Sequence, residues 1–205
     1  MTSISIPRRA FAAAALAALL TRAPAKAAAP PQDRWPELAD GGCVVFRHAN
    51  APGVGDPPGM RLSDCATQRN LDELGRAQAR AIGSAFRARG LRIDRVATSR
   101  WCRARDTAEL AFPGMATVDP AFDSFFDAPH LREATTAEAR RAILGWRGPG
   151  LLVAVTHAVN IAALTGISPR PAEGIVLSVR NADAFVRGRI TPSGPGMDGV
   201  AFVRG

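Results

Sequence analysis

Apolar residues in this chain fall into short unbroken runs separated by longer stretches in which they recur at helical spacing. Cys43 to Phe46, Ile93 to Thr98 and Leu151 to Val155 are the firmest of the short runs and read as buried strands. Thr117-Val118, Ile175 to Val179, Ala184 to Ile190 and Val200 to Val203 extend the series. Between them, Leu74, Ala77, Ala81, Ile82 and Ala85 lie on one helical face, so Leu71 to Arg89 reads as a helix stopped by Gly90. A second helix is expected from about Arg103 to Ala111, ahead of Pro113-Gly114. A third should run from Thr136 to near Gly145, and a short fourth from Val159 to Thr165. Asn50 to Gly59 is dense in Pro and Gly and must be loop; Asp119 to Arg132 looks irregular, anchored by Phe122, Phe125 and Phe126. Strands alternating with helices predict an α/β fold, a three-layer α/β/α sandwich around a mostly parallel sheet, in one domain over residues 41–205.

The ends of the three firm strands bring in chemistry. The first runs into Arg47-His48, the second into Ser99-Arg100-Trp101-Cys102-Arg103, and the third delivers Thr156-His157. Open α/β sheets bind ligands beyond the carboxyl ends of their strands. If these strands are neighbours, two of the chain's three histidines and two or three arginines meet at one spot. The third histidine, His130, reads as a surface loop residue.

The N-terminus changes the picture of what is mature protein. Arg8-Arg9, the apolar block Phe11 to Leu20 and the small-x-small site Ala25-Lys26-Ala27 follow the order of an export signal, and the block is too short to span a bilayer. The paired arginines also suit the twin-arginine route. Residues 1–27 are therefore expected to be a signal peptide and 28–40 a Pro/Ala-containing tether, with a periplasmic or secreted product and no stable membrane insertion. The formal charge of +8 is half supplied by Arg8, Arg9, Arg22 and Lys26, and the remainder forms no basic block. Without a clustered basic face or base-reading elements, a nucleic-acid partner is not expected. Oligomeric state leaves no trace in the sequence. Of the three cysteines, Cys65 and Cys102 flank the proposed site and are the favoured pair for a disulfide in an oxidising compartment, while Cys43 reads as a small buried hydrophobe. No compact Cys/His spacing suggests a metal, and no cofactor is expected.

A phosphoryl group carries about two negative charges near neutral pH. Arginine's planar fork meets its oxygens in pairs. Arg47 and Arg103 suit that task. A neutral imidazole is a nucleophile, so His48 is placed to attack phosphorus and His157 to donate a hydrogen bond or a charge to the same group. Arg100 could line the rim or face solvent, and Asn50 could reach phosphate or serve as a turn residue. Trp101 and Trp146 read as packing.

These residues resemble the histidine phosphatase superfamily, the group that includes the phosphoglycerate-mutase-like phosphatases. Val44-Val45-Phe46-Arg47-His48-Ala49 is similar to its strand with Arg-His-Gly, Ala49 standing for the usual glycine. Leu71 to Ala79 is similar to its Leu-x-x-x-Gly-x-x-Gln-Ala helix start. Thr98-Ser99 to Arg103-Ala104, with Thr107-Ala108, resembles its Thr-Ser-x-x-x-Arg-Ala-x-x-Thr-Ala motif. Val155-Thr156-His157 resembles the strand bearing a second catalytic histidine, with Thr156 where glycine is frequent, and Ala172-Glu173-Gly174 the segment before a late strand. The resemblance implies a phosphoglycerate-mutase-like fold and a metal-independent phosphomonoester hydrolase working through phosphohistidine on His48. It makes Arg103, not Arg100, the second phosphate-binding arginine, beside Arg47 and His157. It also implies a carboxylic acid for the leaving oxygen. Many members place a glutamate between the second arginine and the second histidine; here the candidates are Asp123 and Asp127, with Glu133 further off. Exported relatives of this kind include lipopolysaccharide core heptose phosphatases, so a small-molecule or glycan phosphomonoester is the expected substrate. A phosphotransferase or mutase, or a phosphate-binding protein without turnover, are the alternatives.

Overall fold

The computed structural model describes Leu38, residues 41–180 and residues 182–192, all within one compact unit spanning Asp33–Gly205. The expected signal peptide, nearly all of the tether and the strand Val200 to Val203 lie outside the described residues. Six strands form one sheet: β1 (Cys43–Arg47), β2 (Ile93–Thr98), β3 (Ala116–Val118), β4 (Leu151–Thr156), β5 (Gly174–Arg180) and β6 (Asp183–Ile190), in spatial order β3-β2-β4-β1-β5-β6. Four helices accompany them: α1 (Glu73–Ala88), α2 (Cys102–Ala111), α3 (Arg132–Leu144) and α4 (Ala158–Thr165).

The unbroken apolar runs follow from burial on both faces. Along β1, Val44 and Phe46 enter one core with Ala79, Ile82 and Phe86 of α1 and Ala104 and Ala108 of α2. Cys43 and Val45 enter the other, with Ala139 and Ile143 of α3 and Ile161 of α4. β4 divides its residues the same way, Val153 and Val155 to the first core, Leu152 and Ala154 to the second. A strand with apolar neighbours above and below cannot alternate with polar residues. The three-layer sandwich is thus observed, with α1 and α2 on one face and α3 and α4 on the other. In the first core the Phe46, Phe86 and Phe112 rings meet at centroid distances of 6.0 and 5.3 Å. Such tilted and edge contacts are worth about 0.5–1.5 kcal/mol each beyond burial.

The sheet is parallel across β3, β2, β4 and β1, while β5 is antiparallel to both β1 and β6. The β5–β6 hairpin closes one edge, with Ala182 at φ 61° in its turn. Two helix starts differ from the periodicity. α1 begins at Glu73 because the Asp72 carboxylate caps it, accepting from the Gly75 N–H at 2.7 Å. α3 begins at Arg132, four residues before Thr136, because a 3-10 turn over Pro129–Leu131 leads straight into it, and Glu133 complements the dipole of its first turn. Asp119 to Arg132 is correspondingly more ordered than expected, holding a second 3-10 turn at Pro120–Phe122. Trp146 is a packing residue of the second core, its indole N–H donating to the Gly150 carbonyl.

One glycine is decisive for the site. A Cβ at Gly75 would collide with the Asn50 carbonyl oxygen, so only glycine lets the start of α1 lie against the loop that leaves β1.

Candidate active site

Strand order brings the three firm strands together with β4 in the middle. Arg47 pairs with Thr156 across β1–β4, and Thr98 pairs with Val155 across β2–β4. Because all three are parallel, their carboxyl ends share one edge. The His48 N–H donates to the Thr156 carbonyl at 2.9 Å and the Ser99 N–H to the Val155 carbonyl at 3.2 Å, so the ladder continues one residue into the site. A cavity of about 140 Å³ opens there, lined by Arg47, His48, Arg69, Arg103 and His157 on its floor.

His48 is 3% exposed, and its Nδ1 lies 2.8 Å from the Ala49 carbonyl. A carbonyl only accepts, so Nδ1 carries the proton and Nε2 keeps its lone pair. Burial, outweighing the Ala49 bond that acts the other way, and the charges of Arg103, Arg47 and Arg69 push its pKa down to about 3. His48 is therefore neutral across the physiological range. Ala49 sits outside the left-handed region and donates its N–H to the Thr107 hydroxyl at 3.0 Å, which itself donates to the Arg103 carbonyl. The Thr of the second motif thus ties the first motif to α2.

His157 ends β4 and its ring stands 5.4 Å from the His48 ring, edge to face. Ser99 Oγ lies 2.8 Å from its Nε2 and fixes the ring. Burial first, then His48 and the three arginines, hold its pKa well below the usual imidazole value. Trp101 packs against it at 5.3 Å, as a supporting residue 8% exposed.

The arginines are held from behind. Arg47 Nη1 donates to the Pro169 carbonyl and its backbone N–H to the Glu173 carbonyl, so the segment before β5 braces it. Arg103 Nη1 donates to Asp56 at 2.7 Å, both side chains under 5% exposed. The Nε groups of Arg47 and Arg103 are buried with no partner. Buried polar groups are seldom left unpaired, and both side chains belong to the lining of the same cavity.

Arg69 and Asp56 were not legible in the motifs. Arg69 lines the floor, its Nε and Nη1 anchored on the Gly55 and Ala51 carbonyls. Asp56 accepts from Arg103, from the Arg69 N–H at 3.1 Å and from the Trp101 indole at 2.9 Å. Burial pushes its carboxyl up, but these bonds outweigh burial and the net direction is down. Asp56 lies inside the Pro/Gly loop and Arg69 in the irregular stretch after it, so neither gave a periodic signal.

Other expected residues go elsewhere. Asn50 turns away from the cavity: its Nδ2 donates to Asp72 at 2.8 Å and its N–H to Gln78, so it pins the α1 cap rather than phosphate. Arg100 faces Asp123, which accepts from the Arg100 N–H at 2.9 Å and from its Nε at 2.6 Å. Arg100 does not line the cavity, and Asp123 is occupied by that fork. Asp127 is exposed and reaches the rim: its Oδ1 lies beside Gly55, and its charge acts on Arg69. Glu133 lies in a separate groove with Arg132, Thr136 and Arg140. His130 is an exposed turn residue. Cys65 and Cys102 are joined, with Cα atoms 5.7 Å apart. Cys43 is buried and free, its thiol pushed up to about 12 by burial. Among the described residues no group of three or more His, Cys, Asp or Glu could hold a metal ion, and no helix is long and apolar enough to cross a membrane.

Fold and site together define an α/β protein that gathers two neutral histidines and three arginines around one cavity beyond its parallel strand ends. Residues 44–133 match the model of the histidine phosphatase superfamily (branch 1), and the resemblance carried by the motifs stands. Among solved structures, YhfR of Bacillus stearothermophilus is 18% identical over 72% of this chain and 95% of its own, with a TM-score of 0.54. The mycobacterial glucosyl-3-phosphoglycerate phosphatase in complex with VO3 is 18% identical over 72% and 97%, at 0.51. The protein histidine phosphatase SixA in complex with tungstate is 17% identical over 74% and 97%, at 0.50. At such identities the likeness shows the phosphoglycerate-mutase-like fold. No curated protein matches the sequence.

Proposed function

We propose that this chain is an exported phosphomonoester hydrolase acting through a phosphohistidine on His48. The observation that carries the reading is the convergence of Arg47, Arg69, Arg103 and His157 on one cavity that a neutral His48, its Nδ1 engaged by the Ala49 carbonyl, also lines. A phosphoryl dianion supplies the counter-charge to this cationic cluster, and the arginines hold its oxygens as charge redistributes. His48 Nε2 attacks phosphorus and the P–O ester bond breaks. The Asp127 carboxylic acid gives its proton to the leaving oxygen. Water then attacks the phosphohistidine, returning a proton to Asp127 as the P–N bond breaks and orthophosphate departs. His157, held by Ser99, donates a hydrogen bond to the transferred group. Arginine charge does the compensation a metal would otherwise provide, so the reaction is metal-independent in this reading.

Family likeness supports the same chemistry: SixA is described as a protein histidine phosphatase, and the mycobacterial neighbour as a glucosyl-3-phosphoglycerate phosphatase. Placement outside a reducing compartment is supported by the N-terminal pattern and the Cys65–Cys102 bridge. Hydrolysis of p-nitrophenyl phosphate in the presence of a chelator tests the reading. Turnover by the mature protein, trapping of label on His48, and loss of both in His48→Ala are expected. A folded protein that binds orthophosphate without turnover would replace the hydrolase with a phosphate-binding protein.

A further inference from the structure

The cavity has two unlike halves. Its floor is cationic, as described, but its rim is Gly53, Val54, Gly55, Phe126, Ala158 and Val159, with Ser124 the one polar side chain among the rim's lining residues. Val54 is 87% exposed and Phe126 46% exposed, both among the few large apolar residues left on the described surface. The two walls are brought together: Gly55 sits against the Phe126 ring, and Gly55 is also the backbone anchor of Arg69. At about 140 Å³ the cavity is smaller than the roughly 300–1,000 Å³ that encloses a whole organic ligand, so a bound ester keeps its phosphoryl group inside and its alcohol on the rim.

We infer that the alcohol is apolar: the site takes phosphomonoesters of aromatic or alkyl alcohols in preference to polyhydroxylated ones. A sugar's hydroxyls keep their water on that open rim and gain little from its apolar side chains. The rim offers them Ser124 and, beyond Gly55, Asp127. An apolar alcohol instead covers Val54 and Phe126 and removes their surface from water.

This inference rests on the phosphomonoester reading of the same site, and its test separates the two. Binding of methyl-, benzyl- and hexylphosphonate and of glucose 6-phosphate, the last as its non-hydrolysable phosphonate analogue, is measured by calorimetry on the mature protein, so the result does not depend on turnover. All four carry the same head group and cannot be hydrolysed. Benzyl- and hexylphosphonate are expected to bind at least about tenfold more tightly than methylphosphonate and glucose 6-phosphate, and the relative rank of the first two separates an aromatic from an alkyl occupant. In the exposed-residue double variant Val54→Ser/Phe126→Ser the benzyl-to-methyl ratio should fall below about threefold. Glucose 6-phosphate binding as tightly as benzylphosphonate, or a ratio that survives the double variant, would overturn the inference. Failure of every phosphonate and of orthophosphate to bind would overturn the site reading beneath it.

Discussion

The floor and the rim of one small cavity are built on opposite principles. Floor groups come from strand ends, the first turn of α2 and, for Arg69, a loop. His48, Arg103 and His157 are almost fully buried and Arg47 and Arg69 partly so. Each is braced from behind: His48 by Ala49, Arg47 by Pro169, Arg69 by Gly55, Arg103 by Asp56 and His157 by Ser99. Rim groups come from two irregular segments, residues 53–55 and 124–127, and from the start of α4, and they face water. The contrast separates two demands. Transfer chemistry needs fixed charges with no reorganisation, and rigid strand ends give that. Discrimination among alcohols needs a surface that varies without disturbing the charges, and loops on a rigid sheet provide it.

The sharpest way to break the comparison is to remove a brace from the floor while leaving the cations in place. Asp56→Ala leaves the Arg103 guanidinium buried without its counter-charge, and breaking a buried pair from one side costs about 3–5 kcal/mol. Thermal unfolding should show that loss. Orthophosphate should restore part of it, because a ligand at a hundred times its dissociation constant adds about 2.7 kcal/mol and here also replaces the missing anion. A larger phosphate-induced shift in the variant than in the parent is expected. Equal shifts would mean that Asp56 stabilises the loop and not the phosphate cradle.

The disulfide ties two floor segments together, joining Cys65, four residues before Arg69, to Cys102, one residue before Arg103. Closing 37 residues of sequence restricts the unfolded chain by about 3–4 kcal/mol in the chain-entropy description. Reduction, or the Cys65→Ser/Cys102→Ser variant, should lower stability by that order. It should also raise KM more than it lowers kcat, since the two arginine-bearing segments lose their shared anchor. An unchanged KM would confine the bridge to stability.

How much of this was legible follows the same division. Strands buried on both faces announce themselves as unbroken apolar runs, and the residues just beyond them, Arg47-His48, Arg103 and His157, could be read from the sequence because strand ends of a parallel sheet converge by geometry. Arg69 and Asp56 could not, because a loop has no period: how each reaches Arg103 depends on where residues 50–72 fold back, which only long-range contacts decide. Asn50 misled for the same reason, being adjacent to the site in sequence but turned toward the cap of α1. The antiparallel direction of β5 was equally silent, since an apolar run does not encode its partner's direction.

Choosing the acid tests whether the rim takes part in chemistry at all. Asp127 stands at the rim, whereas Asp123 is engaged by Arg100. Asp127→Asn should reduce kcat by about 10²-fold for an alkyl phosphate, whose alkoxide needs a proton. It should have far less effect on p-nitrophenyl phosphate, whose leaving group departs unprotonated. Asp123→Asn should affect both substrates equally and weakly, through packing. The reverse pattern would move the acid to Asp123 and make the rim a purely passive surface.

The smallest effect concerns the floor alone and comes from pH. His48 is neutral in the folded protein down to about pH 3, whereas in the unfolded chain it protonates near the ordinary value of roughly 6.5. Between those two values the unfolded state binds the extra proton, so stability rises with pH there and is lost as pH falls from about 6.5 toward 3. For His48 the loss at pH 5.5 is on the order of 1.4 kcal/mol, and His157, lowered by the same burial, adds in the same direction. Urea midpoints measured at pH 7.5 and 5.5 should therefore separate clearly in the parent and less in His48→Asn, which has one such group fewer. Catalysis should behave differently over the same range. Free His48 needs no deprotonation there, so the acid limb of kcat/KM should follow the second ionisation of the substrate phosphate, near pH 6, and move when that ionisation is moved by fluorination of the ester. An acid limb that stays put across such substrates would assign it to a floor histidine, and with it a site more hydrated than the buried one described.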